Sequence, residues 1–266
     1  MSKIIVLGTG HAMVTECFNS CLLLENNGRY VLVDTSGGNG ILGQLKKAGV
    51  AVEDIHDVFI THNHFDHMVG LFWIIRTIAY QIPLGNYEGN LNIYITGDNA
   101  KLVRDYVLAV YPRMGQLFDS RIFFVDLFHG RELELIDNEF TVMDLKPTMG
   151  SHFGFVMDFA GKRLSYTSDV PFHDSLYDLV YGSDWLVHEA FCLESQIDEY
   201  KPHEKHHSTV KDACLVATEL NAANLILFHT EDDNILQRRA LYTAEGLQYF
   251  SGNLLVPDDL DVISLC

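Results

Sequence analysis

The stretch Thr61-His62-Asn63-His64-Phe65-Asp66-His67 constrains this 266-residue chain more than any other. Four side chains able to bind a metal, His62, His64, Asp66 and His67, fall within six positions. The apolar run Val58-Phe59-Ile60-Thr61 comes just before, and an apolar helical pattern from Met68 to Ile82 follows. On an extended backbone, residues two apart project to the same side, so His62 and His64 form a pair. Asp66 and His67 sit where the chain turns into the helix and form a second pair. That arrangement suits two adjacent metals. Imidazole and carboxylate are ligands zinc accepts, and a centre with too few protein ligands to close its shell keeps water. Chance explains a lone histidine in a polar loop, but not this spacing between a strand and a helix.

Such a loop needs a scaffold. Hydrophobic content of 48% supports a sizeable core, and no repeat, low-complexity tract or Pro/Ser-rich linker divides the chain. One domain over 1–266 is expected. Strand-like runs at 4–7, 21–25, 30–34, 54–61, 91–96, 122–127, 154–158, 163–167, 184–190, 224–228 and 262–265 alternate with helical patterns. The helices are predicted at about 35–48, 66–82, 98–110 and 208–220, the third capped by Asp98. Hairpin turns are predicted at Asn26-Asn27-Gly28, Asp137-Asn138 and Ala160-Gly161. The pattern predicts an α/β fold, two sheets sandwiched between helical layers (αββα).

The formal charge is −18, from 18 basic and 36 acidic side chains. A broad basic face for a polyphosphate backbone is therefore disfavoured. Five cysteines without a C-x-x-C pair read as reduced thiols. With no signal peptide and no membrane-length apolar run, a cytoplasmic protein without a membrane partner is expected.

Two metals need more ligands than the motif supplies. His152 precedes one apolar run, Asp169 ends another, and His229 ends a third. A site shared at one sheet edge requires polar side chains at such positions, and a carboxylate such as Asp169 has two oxygens to share. His129 competes with His152. A histidine not bound to metal and held by a carboxylate can protonate a leaving group. His207, ahead of the late helix, and Glu189, on the strand Trp185-Leu186-Val187-His188-Glu189-Ala190, are the candidate pair.

These segments together resemble the metallo-β-lactamase superfamily, and within it the ribonuclease Z branch of phosphodiesterases. The resemblance runs from Leu7 to about His229. It is carried by Leu7-Gly8-Thr9-Gly10, Asn19-Ser20, Val33-Asp34-Thr35, the His62–His67 motif with Gly70-Leu71, Tyr166-Thr167-Ser168-Asp169, His188-Glu189-Ala190, His207-Ser208-Thr209 and Leu227-Phe228-His229. It implies two Zn2+ per chain, with Mn2+ or Fe2+ as alternatives. His62, His64 and His152 would hold one, Asp66, His67 and His229 the other, and Asp169 would bridge. Asp66, Glu189 and His207 would be the catalytic residues. There are departures. Phe191 stands where the branch usually has threonine, and Ser168 where glycine is usual. Thr230-Glu231-Asp232-Asp233 replaces a serine and Arg-Tyr pattern. Only 16 residues separate His152 from Asp169, too few for the tRNA-gripping arm.

The expected function is hydrolysis of a small phosphodiester by a hydroxide between two zincs. The alternative is a ribonuclease Z-type tRNA 3′-endonuclease. An ester or lactone hydrolase, a diiron redox protein and a non-catalytic sensor rank below. A homodimer is compatible with the resemblance.

Overall fold

The computed structural model describes residues 2–146 and 150–265. The chain begins with β1 (Lys3–Gly8), β2 (Cys21–Asn26), β3 (Arg29–Val33), α1 (Gly40–Lys47) and β4 (Ile55–Phe59). The motif and two helices follow, α2 (Phe65–Met68) and α3 (Leu71–Gln81), then β5 (Leu91–Ile95), α4 (Gly97–Val110) and β6 (Ile122–Asp126). Next come β7 (Glu132–Leu135), β8 (Asn138–Asp144), β9 (Phe153–Phe159), β10 (Lys162–Tyr166), α5 (Tyr177–Val180) and β11 (Trp185–Glu189). The chain ends with α6 (Ile197–Tyr200), α7 (Val210–Glu219), β12 (Asn224–Phe228), α8 (Arg238–Gly246), β13 (Asn253–Leu255) and β14 (Val262–Ser264).

The strands form two seven-stranded sheets, β14-β1-β2-β3-β4-β5-β6 and β13-β12-β11-β10-β9-β8-β7. Each sheet is antiparallel over one half and parallel over the other: β3 to β6 are parallel neighbours in the first, β10 to β13 in the second. Alternate residues of each strand face opposite ways. Ile4, Val6, Leu22, Leu24, Val31 and Val33 face inward and pack with Phe140, Phe155, Tyr166, Val187 and Phe228 of the other sheet. Ile5, Leu7, Leu23 and Leu32 face outward onto α1, α3 and α4. Leu186, Leu225 and Leu227 pack on α7 and α8. Strands buried on both faces have no polar side to show, which is why the sequence gives near-continuous apolar runs. The fold is the αββα sandwich of the metallo-β-lactamase class.

Several boundaries differ from expectation, each for a local reason. The helix predicted from Asp66 to Ile82 is two helices, because Gly70 passes against the backbone of Thr35. A Cβ at Gly70 would lie 1.8 Å from the Thr35 carbonyl oxygen. Thr96, not Asp98, caps α4, its side chain accepting from the Asn99 amide. The β7–β8 turn falls at Ile136 and Asp137, both at positive φ, one position before the predicted pair. Asn27 and Gly28 do take the two positive-φ positions of the β2–β3 turn. β9 and β10 fill the interval between His152 and Asp169. Among the described residues, no helix is long and apolar enough to cross a membrane.

Candidate metal centre

In open α/β sheets, ligand sites lie beyond the carboxyl ends of parallel strands. Here that edge carries Asp34 after β3, the motif after β4, Asp169 after β10, Glu189 at the end of β11, and His229 after β12. His152 reaches the same edge from the start of β9, pinned by the Phe153 amide donating to the Thr61 carbonyl at 2.9 Å.

Among the described residues three groups of side chains result; two gather around Asp169, and the third, Glu189, His207 and His229, shares His229 with the second. Ligand atoms of His62, His64, His152 and Asp169 lie within 4.8 Å of one another, as do those of Asp66, His67 and His229. Asp169 faces both groups. Its Oδ2 lies 3.6 Å from His62 Nε2, 3.4 Å from His67 Nε2 and 3.6 Å from His229 Nε2. Asp66 Oδ2 lies 3.2 Å from His67 Nε2 and 3.5 Å from His229 Nε2. His129 belongs to none of these groups, and its Nδ1 accepts from the Asp144 amide.

The hydrogen bonds around the centre fix the tautomers. His67 Nδ1 donates to Asp34 Oδ2 at 2.7 Å. The Thr61 hydroxyl gives its one hydrogen to the same carboxylate at 2.8 Å, so its oxygen accepts from His62 Nδ1 at 2.9 Å. Both imidazoles then turn an Nε2 lone pair inward. The Nε2 atoms of His62, His67 and His229 are buried without a hydrogen-bond partner, as is His152 Nδ1. Lone pairs of this kind facing carboxylate oxygens repel one another unless a cation lies between them. Burial works against a charged His67, yet with no cation beside them Asp169 and Asp34 draw a second proton onto it and raise it well above the ordinary histidine value, and a bound metal would take that proton's place on Nε2. Burial also works against ionised Asp66, but the neighbouring His229 and His67 imidazoles keep it below the usual carboxylate range. Burial pushes His62 well below the ordinary histidine value and His152 down to about 4. The donor set and its field fit metal cations.

Beside the metal groups, His207 Nδ1 donates to Glu189 Oε2 at 2.6 Å, and Glu189 Oε1 accepts from the Ser208 amide at 2.9 Å. Glu189 is fully buried and faces the centre, while His188 lies on the opposite face of β11, also buried. Burial opposes charge on His207, but Glu189 outweighs it and raises the imidazole.

The acidic run after His229 is a set of clasps rather than a repelling face. Glu231 is buried and accepts from the Asp233 amide at 2.5 Å. Asp232 accepts from the Thr15 and Glu16 amides, and Asp233 from the Tyr200 hydroxyl. Sequence reading gave no role to Asp34, His11 or Phe191. Val33-Asp34-Thr35 was a visible signal for the first.

The two-sheet fold and the histidines and carboxylates gathered at its edge define a metal-dependent hydrolase of the metallo-β-lactamase fold. The chain belongs to the family described as anti-Pycsar protein Apyc1, whose family model matches residues 2–246. It is 26% identical to a ribonuclease Z of Thermococcus sibiricus over an alignment of 306 positions, covering 100% of this chain and 97% of that protein. Among solved structures it is similar to the metallo-β-lactamase fold protein YhfI of Bacillus subtilis, with a TM-score of 0.79, 19% identity and 98% coverage of both chains. It is also similar to the short form of human tRNase Z, with a TM-score of 0.74, 22% identity and 99% coverage of both.

Proposed function

We propose that this protein is a two-zinc phosphodiesterase acting on a small phosphodiester. The observation that carries the size of the substrate is a cavity of about 370 Å³ opening directly on the metal groups. His64, His152, Asp169 and His207 form its inner wall, and Val170, Pro171 and Phe172 supply an apolar side. Lys146 and Lys205 also line it. Two cations and an apolar wall match a compact anion with an organic substituent, and the volume is that of a small-molecule site.

In this reading His62, His64 and His152 would hold one metal and Asp66, His67 and His229 the other, with Asp169 within reach of both. Two bound metals supply an activated water and offset charge on the group attacked. The chain's own part is orientation and proton transfer. Asp34 and Thr61 hold His67 and His62 in the ligand tautomer. Glu189 accepts a hydrogen bond from His207 Nδ1–H and favours the charged imidazole, so the proton for the leaving oxygen is held at His207 Nε2. Lys146 and Lys205 draw the anion in.

The chain is read as one domain, since one core joins both sheets. The cysteines Cys17, Cys21, Cys192 and Cys214 are unpaired, which supports a reducing, cytoplasmic setting. Among the described residues, the apolar groove of Val69, Phe72, Trp73, Tyr106, Val110 and Tyr111 has Arg76 as its one charged lining residue. A groove whose lining carries no acid is where two copies of a chain at −18 can meet, so we read it as a homodimer face.

Side-by-side kinetics test the substrate class. Bis-p-nitrophenyl phosphate, a cyclic nucleotide, an ester panel and pre-tRNA are assayed at physiological salt. The expected result is a higher kcat/KM on a small diester than on pre-tRNA. Specific 3′-end cleavage of pre-tRNA that exceeds small-diester hydrolysis makes the chain a ribonuclease Z-type tRNA 3′-endonuclease instead.

A further inference from the structure

His11, on the loop after β1, and Phe191, just past β11, lie beside the centre and have no part in the chemistry above. Phe191 is buried, and two imidazoles face its ring. His207 stacks on it at 4.9 Å with 7° between planes, and His11 lies 4.6 Å away at 56°. Both imidazoles also flank His229, with ring centroids 5.1 Å away for His207 and 6.3 Å for His11.

The His11 backbone is anchored at both its N–H and its carbonyl. Its backbone N–H donates to the Thr230 carbonyl at 3.0 Å, and its own carbonyl accepts from Asn19 Nδ2 at 2.8 Å. Asp232 Oδ2 ties down the loop beyond by accepting from the Thr15 and Glu16 amides at 2.6 and 2.7 Å. In the ring, Nδ1 accepts from the Met13 N–H at 3.3 Å. A ring nitrogen that accepts carries no hydrogen, so the neutral imidazole has its hydrogen on Nε2. Among the described residues the ring's hydrogen bond is made through Nδ1, not Nε2. A fixed donor costs little reorganisation when negative charge arrives beside it.

We propose that His11 is a substrate-binding residue. Its Nε2–H donates a hydrogen bond to a non-bridging oxygen of the phosphoryl group from the His229 side, while His207 serves the leaving oxygen. Phe191 is the flat wall against which both rings rest. This assignment rests on the phosphodiester reading, and its test is chosen to be separable from it.

The probe is inorganic phosphate binding to the metal-loaded protein, followed by calorimetry. Glutamine carries its amide N–H to roughly where histidine Nε2 stands, whereas asparagine reaches only the Nδ1 position. His11→Asn is expected to weaken phosphate binding about tenfold to a hundredfold, the range for a hydrogen bond to a charged group. His11→Gln is expected to stay within a few fold of wild type, and both variants keep the wild-type metal content. Equal losses in the two variants, no loss in either, or failure of the wild type to bind phosphate overturns the assignment. If the wild type binds phosphate but hydrolyses no diester, the phosphodiesterase reading fails. His11 then still stands or falls on the contrast between asparagine and glutamine.

Discussion

Asp34 decides which nitrogen of His67 faces the centre, and it does so from 33 residues away in sequence. The motif itself is readable because its spacing alone implies paired ligands. Asp34 was visible within Val33-Asp34-Thr35, but its role was not, because an aspartate at the end of an apolar strand looks the same whether or not a histidine returns to it. Glu189 and His207 were legible as a pair of residue types, and the fold supplies the 2.6 Å contact. The sign of their coupling gives a test. Burial opposes a charged His207, Glu189 more than offsets this, and the protonated form persists to higher pH than in an ordinary histidine. Glu189→Gln removes the negative charge, so His207 loses its proton at lower pH. The alkaline limb of kcat on a diester with a poor leaving group is expected to move to lower pH. His207→Ala is expected to cost roughly 10²–10⁴-fold on that substrate and less on a p-nitrophenyl ester, with metal content unchanged. An unmoved limb, or equal losses on both substrates, removes His207 from the role of acid.

At the scale of elements, the strands were readable because both faces are buried and apolar runs mark them. α8 and β13 were not read. α8 buries only Arg238, Tyr242 and Gly246, so it lacks an apolar stripe, and β13 is three residues long. The break between α2 and α3 was also missed, since apolar periodicity carries no sign of the Thr35 backbone that presses on Gly70. That contact matters to the centre. The Thr35 amide and hydroxyl both donate to the His67 carbonyl, at 2.7 and 2.9 Å. Gly70→Ala forces a Cβ into the Thr35 carbonyl and is expected to cost about 1–3 kcal/mol, as overpacking does. Denaturant unfolding reads the cost, and metal affinity is expected to fall with it. Unchanged stability and unchanged metal affinity would show that the two backbones can part freely.

For the whole molecule, the charge of −18 and the short interval between His152 and Asp169 argue together for a small substrate. The acidic run after His229 does not add to that case, since its side chains hold the loops at 11–16 and 200. The groove between α3 and α4 carries the expected dimer. Light scattering at micromolar concentration is expected to give two copies of the wild type and one copy of a Trp73→Glu, Tyr106→Glu double variant, and a monomeric wild type contradicts this. The metal centre is the claim on which the rest depends. Asp169 presents one oxygen to histidines of both ligand groups, so two ions should share it. The decisive measurement is elemental analysis of the purified, fully loaded chain beside Asp169→Ala. Two metal ions per chain in the wild type and at least one fewer in the variant are expected. A single tightly held ion in the fully loaded wild type would contradict the two-metal centre.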